Sequence, residues 1–260
     1  MAFCDGEYHP NYPKGNPFIS TVGISSSNDG GLTWTIPASA TPAIEGLDVA
    51  QSGQATVAKF ISGKKQMDSG ASGPTAVVQA AAAGPTNQHV YLLYADRVVM
   101  AKPKVPSGIN VARALLSDVT RPGAWEKWQG SGWGPAGTQT SSKPVVLSPG
   151  GKLAAVQPNV TWNKALNAWL MVFRTAHGLY ATSSTDLVHW GPGRLFLPAG
   201  AGQHAPSFPT LLSPASQGTS AATDANGILV YSVHDLRQKR FIGYFRTWVL
   251  RVAKPPQSKH

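Results

Sequence analysis

The chain of 260 residues holds a single cysteine, Cys4, which excludes an internal disulfide and any zinc site built on thiolates. Acidic residues are scarce, 12 against 22 lysines and arginines, and charged residues make up only 13% of the chain. No apolar run approaches the roughly 20 residues that span a bilayer, and no signal peptide is visible. Met1 leads at once into the strand-like stretch AFCDGEYH, so we expect an upstream segment to precede it. Several motifs are missing: Gly-x-Gly-x-x-Gly after a strand, a phosphate loop, His-Glu-x-x-His and Gly-x-Ser-x-Gly. No loop of spaced carboxylates suggests calcium. We therefore expect no cofactor and no metal.

What is present points to strands. Apolar residues reach 42%, enough for a packed core, while 27 Gly and 21 Pro favour short strands and many turns over long helices. Eight Trp, seven Tyr and eight Phe suit a β core and also suit stacking on sugar rings. The net charge of +10 attracts polyanions such as acidic glycans. The basic residues are scattered, with GKKQ and RQKR the only tight clusters, so we expect neither a nucleic-acid nor a membrane partner, and a monomer.

Similar pieces recur along the chain. GPTAVVQ (Gly73–Gln79), QPNVTWN (Gln157–Asn163) and FPTLLSP (Phe208–Pro214) each place a Pro at the head of an apolar run, where a strand tolerates it. Each is followed by a more hydrophobic strand: VYLLYADR (Val90–Arg97), AWLMVFRTAH (Ala168–His177) and ILVYSVHD (Ile228–Asp235). MAFCDGEYH reads as a fourth copy that enters the unit at its second strand. Third strands follow in FISTVGISSS, GINVARALL, HGLYATSST and FIGYFRTWVL. Four-stranded antiparallel units of this spacing describe an all-β propeller, residues 1–260 as one domain of four to five blades, five favoured. A two-sheet sandwich is the alternative. The Gly-, Pro- and Ser-rich segments Ile36–Lys65 and Gly130–Leu153 are expected to be surface loops or irregular strands.

Two third strands run into a Ser-x-Asp turn closed by a tryptophan. Ser27-Asn28-Asp29-Gly30-Gly31-Leu32-Thr33-Trp34 matches the Asp-box pattern, and Ser184-Thr185-Asp186-Leu187-Val188-His189-Trp190 is a looser form with Leu187 in a turn position. Asp and Ser oxygens accept backbone N–H groups there, Gly supplies positive φ, and Trp plugs the gap between blades. The motif resembles those of sialidases and related carbohydrate-active propellers. YATSSTDLVHW is similar to the five-bladed glycoside hydrolases that cleave arabinans, xylans and fructans. The resemblance implies a secreted glycan-directed protein, with the Asp-box hairpins on the face away from the active site. Asp29 and Asp186 are therefore read as structural. Two departures are visible: the Arg-Ile-Pro of sialidases does not occur, and Gln157 stands where those hydrolases carry an acid in the third blade.

Because strands alternate in direction, residues before strand one and after strand two share a rim. Glycoside hydrolysis uses two carboxyl groups across the scissile bond. Glu7, set beside Phe3 and Tyr8, is the first choice of general acid, Asp68 its partner, and Asp5 a substitute. His9, Asp96, Gln157, Arg174, His177, His204, His234 and Asp235 are the expected substrate-binding residues. Arg97, Arg113, Arg174 and Arg246 are candidates for a carboxylate clamp. The alternatives to a hydrolase are a carbohydrate-binding propeller without catalysis and a scaffold for protein partners.

Overall fold

The hydrophobic second strands are buried on both faces, and this decides how the sheets stack. The computed structural model describes residues 1–9, 18–35, 42–62, 68–79, 88–100, 107–121, 123–137, 142–149, 154–200, 204–213, 222–235 and 240–250. The first unit comprises β1 (Ala2–Tyr8), β2 (Ile19–Ser25) and the short β3 (Ile44–Glu45). The second comprises β4 (Ser69–Gln79), β5 (His89–Arg97), β6 (Gly108–Leu115), β7 (Glu126–Trp128) and β8 (Trp133–Ala136). The third has β9 (Val156–Asn163), β10 (Ala168–Thr175), β11 (Gly178–Ser184) and β12 (Arg194–Pro198), to which β14 (Ala222–Thr223) adds in parallel. The fourth has β13 (Ser207–Leu212), β15 (Asn226–Asp235) and β16 (Arg240–Val249).

Along β5, Val90, Leu92 and Tyr94 pack with Val22, Ile44 and Trp125. Their neighbours Tyr91 and Leu93 turn the other way and pack with Trp169, Met171 and Phe173 of β10. The alternate residues of β10, Leu170 and Val172, meet Leu229, Tyr231 and Val233 of β15. Period-two alternation with both sets apolar thus buries β5 and β10 on both faces, so that the sheets stack side by side as in an all-β propeller. Each such side chain removed from water contributes about 1.5–3 kcal/mol.

The inner strands carry a shared irregularity. Gly73, Gln157 and Phe208 each precede a proline and each has a positive φ, of 59°, 54° and 53°. The ladders shift register beside these positions, between Ser72 and Thr75, between Val172 and Arg174, and between Ser207 and Thr210. Such bulges turn the backbone aside. The Gly73 N–H donates to Asp5 of the preceding unit and the Phe208 N–H to Gln157 Oε1 at 3.0 Å. A Cβ on Gly73 would lie 3.3 Å from the Gln157 Cα. The three inner strands therefore touch at their heads. For Gln157 and Phe208 the left-handed backbone costs on the order of 1–3 kcal/mol, offset by these cross-sheet contacts.

The segment expected as loop or irregular strand between Ile36 and Lys65 holds two helices instead, α1 (Leu47–Ser52) and α2 (Gln54–Ile61). Val49, Val57, Ala58 and Ile61 pack with Ile19, Val99 and Met100, so a small core of its own stabilises helical structure in a Gly- and Ser-rich stretch. The Gly130–Leu153 segment contributes β8 and a bridge from Val146 to Ile109. Residues 36–41, 63–65, 138–141 and 150–153 of these two segments lie outside the described residues.

The two Ser-x-Asp corners close at the far ends of β2 and β11. At the first, Ser27 Oγ donates to Asp29 at 2.7 Å, Thr33 N–H donates to Asp29 at 2.9 Å, and Trp34 Nε1–H reaches the Gly31 carbonyl at 3.0 Å. At the second, Ser184 Oγ donates to Asp186 at 3.0 Å, His189 N–H donates to Asp186 at 2.8 Å, and Trp190 Nε1–H reaches the Leu187 carbonyl at 2.9 Å. Leu187 thus takes the place of Gly31, with a φ of 69° against 94°.

Candidate active site

Antiparallel pairing of β1 with β2 sets Glu7 opposite Ser20 and Tyr8 opposite Ile19, at the end of the unit away from the Trp34 corner. β2 in turn pairs with β4 in parallel through Ile19–Ser69 and Ser20–Gly70. Gly70 lies opposite Arg97 at the end of β5. This register collects Glu7, Asp68 and Arg97 at one mouth.

Asp68 forms an ion pair with the Arg97 guanidinium. Desolvation pushes its carboxyl pKa up, against Arg97 and the Phe18 N–H, and Glu7 adds to the rise. The Asp5 carboxylate accepts the Gly73 N–H at 2.9 Å. Its pKa is also raised, first by desolvation and then by Glu7, while Gly73 and Arg97 pull it down. Glu7 itself is about half exposed and pairs with His9 Nε2 at 3.2 Å. Alternation along β1 puts it on the face of Asp5 and opposite to Tyr8, so Tyr8 does not enclose it. The His9 ring lies 5.6 Å from that of Phe18, and Arg97 sits over the same Phe18 ring at 5.9 Å.

Arg174, near the end of β10, faces Arg97. Together with Ala154, Val156, Thr175 and Ala176 the two arginines line a cavity of about 180 Å³. The Arg174 Nε is buried and has no hydrogen-bond partner among the described residues. Desolvation lowers the Arg174 pKa, and the Arg97 charge lowers it further. The other clamp candidates are elsewhere. Arg113 pairs with Glu126 at 2.8 Å and covers Trp133, and Arg246 lies on β16.

The remaining expected binding residues divide. Gln157 is at the mouth but its side-chain oxygen accepts the Phe208 N–H. His177 is exposed in the two-residue turn from β10 to β11. His204 and His234 lie with ring centres 5.2 Å apart and planes tilted by 30°, a pair within the fourth unit. Asp235 ends β15 opposite Arg240; its side chain lies outside the described residues, as do Pro10 and Arg237.

Asp96 does not reach the mouth. It is 2% exposed and accepts the Leu47 N–H at the start of α1 at 3.0 Å. Desolvation raises its pKa to about 6, against the Leu47 N–H and Lys127. Lys127, also buried, donates to the Glu45 carbonyl at 2.9 Å, and desolvation lowers its pKa to about 8. Adjacent strand residues point to opposite faces, so only one of Asp96 and Arg97 can face the site, and it is Arg97. Arg97 was expected only as a clamp arginine, and the alternation of β5 was the signal that set it, not Asp96, toward the site; Phe18 was not among the expected residues.

Chemically, the mouth offers two carboxyls lifted toward protonation, a third open to solvent, and two guanidinium groups. Among the described residues no three His, Cys, Asp or Glu side chains are placed to hold a metal ion, and no helix is long and apolar enough to cross a membrane.

No family model and no curated protein sequence matches this chain. Its fold is similar to a glycosyl hydrolase from Bacteroides ovatus, with 13% identity, a TM-score of 0.50, and coverage of 90% of this chain and 57% of the other. It is also similar to the catalytic domain of a GH62 alpha-L-arabinofuranosidase from Coprinopsis cinerea, with 14% identity, a TM-score of 0.44, and coverage of 83% and 60%. The chain thus spans less than two thirds of the length of either structure, and at these identities the likeness is one of fold.

Proposed function

We propose that the protein is a glycoside hydrolase that works from the Asp5, Glu7 and Asp68 carboxyls. One observation carries this reading: the β1–β2–β4 register brings Glu7 of β1 beside Asp68, the residue before β4, and Asp5 lies two residues from Glu7 on the same face of β1. A general acid needs a carboxyl held above its ordinary pKa, and Asp68 has that property with little exposure. A base or nucleophile needs a carboxyl within reach of water, and Glu7 is half exposed. Our roles for Glu7 and Asp68 are thus the reverse of the sequence expectation. The glycosyl hydrolase from Bacteroides ovatus, similar in fold, supports the reaction class.

The test is hydrolysis of a glycan panel by the wild type beside Asp68→Asn and Glu7→Gln. We expect at least about a 100-fold fall in kcat/KM for each variant. Unchanged turnover in both would remove the assignment.

One feature favours the second reading, a propeller that binds sugar without cleaving it. The three inner-strand heads carry Gly73, Gln157 and Phe208, none of them acidic. Glycan binding by affinity electrophoresis with no turnover across the panel would select that reading.

A further inference from the structure

Arg97 and Arg174 line one small cavity, yet among the described residues only Arg97 has a carboxylate partner. Arg174 leaves a buried Nε–H unmade. Removing an N–H donor from water without a partner costs about 1–3 kcal/mol, and such groups in folded proteins are rare. Two cations side by side also repel each other. Both costs disappear when an anion sits between them. The cavity, about 180 Å³, is below the roughly 300 Å³ of drug-sized sites, so it admits one sugar or its substituent. The rest of its lining, Ala154, Val156, Thr175 and Ala176, brings no competing carboxylate.

We propose that this cavity takes the carboxylate of an acidic sugar, a uronic acid residue, with Arg174 as its principal ligand and Arg97 as the second. The proposal rests on the reading of the mouth as a glycan site and narrows its substrate class. Arginine suits the role because its planar fork donates two parallel N–H bonds to a carboxylate. Asp68, held by Arg97, then flanks the bound ring. The net charge of +10 raises the local concentration of acidic glycans at low salt.

The experiment is ligand-observed NMR titration with D-galacturonate, D-glucuronate, D-galactose, D-glucose and D-galactose 6-sulfate, on the wild type, Arg174→Met and Arg174→Lys. We expect one or both uronates to bind at least about tenfold more tightly than the neutral sugars, with affinity falling as salt rises. Arg174→Met should remove that preference and Arg174→Lys restore part of it. Thermal melting of Arg174→Met should stay at or above the wild-type value, because no internal hydrogen bond of the Nε is lost. Equal binding of charged and neutral sugars would overturn the proposal. So would binding of the sulfate ester alone, or a preference that survives Arg174→Met. A fall in Tm together with lost binding would mark Arg174 as structural and also overturn it. The readout is independent of turnover. Uronate binding through Arg174 without hydrolysis sinks the hydrolase reading and keeps this one. Hydrolysis of neutral glycans unaffected by Arg174→Met does the opposite.

Discussion

The aspartates at the two ends of the propeller are the same residue in opposite electrostatic states. At the corners, Asp29 and Asp186 have lowered pKa values. The Thr33 hydroxyl and N–H and the Ser27 hydroxyl hold Asp29 far below the usual carboxylate range. At Asp186, desolvation is opposed by the His189 ring and N–H, the Val188 N–H and the Ser184 hydroxyl, which bring it to about 2. At the mouth, Asp5 and Asp68 are raised, because desolvation outweighs the donors they have. The difference lies in the donors: a carboxylate saturated with local donors is held charged in its turn, and one short of them is left nearer to protonation.

The strongest test of that division is Asp68→Asn beside Asp29→Asn. The first should reduce kcat/KM at least about 100-fold with a Tm close to wild type. The second should leave kcat/KM unchanged. Loss of activity in both, or in neither, would break the comparison.

The corners can then be compared with each other. Leu187 is fully buried in the core between the second and third units, whereas Leu32 is 86% exposed. Leu187→Ala should destabilise by about 2–3 kcal/mol in urea unfolding. Leu32→Ala should change stability by less than about 0.5 kcal/mol. The same hydrogen-bonded turn is thus stabilised by tertiary packing at one site only.

Asp96 extends the contrast into the core. Its folded pKa of about 6 lies above its ordinary value of 3.8, so between those pH values the folded state binds more protons than the unfolded one. Stability from this group is therefore present below about pH 4 and lost as pH rises through about 6. Asp96→Asn keeps an acceptor for the Leu47 N–H and should flatten the wild-type decline in Tm across that range.

Asp186 should behave in the opposite sense and with a smaller effect. Its folded pKa of about 2 is below 3.8, so its contribution is present above about pH 4 and fades as pH falls toward 2. Asp186→Ala should cost about 1 kcal/mol at pH 7 and no more than a fraction of that at pH 2, measured by urea unfolding at both values.

Much of this was legible in one dimension. The repeated Pro at the head of an apolar run marked all three inner strands, and the run VYLLYA announced a strand buried on both faces. The corners were legible because their bonds span at most four residues. The helices α1 and α2 were not, since their stability comes from Ile19, Val99 and Met100, distant in sequence. Nor was the burial of Asp96, which depends on α1 covering it.

By itself, then, the order of residues determined the strand periods, the turn chemistry and the shortage of acids that made each carboxylate conspicuous. Only the tertiary structure decided which carboxyls are desolvated, which arginines share a cavity, and that Glu7 lies near both Asp5 and Asp68. The physical reason is range. Hydrogen bonds in a turn are satisfied by neighbours along the chain. Desolvation and charge–charge coupling depend on whatever the fold brings alongside, and no local pattern records that.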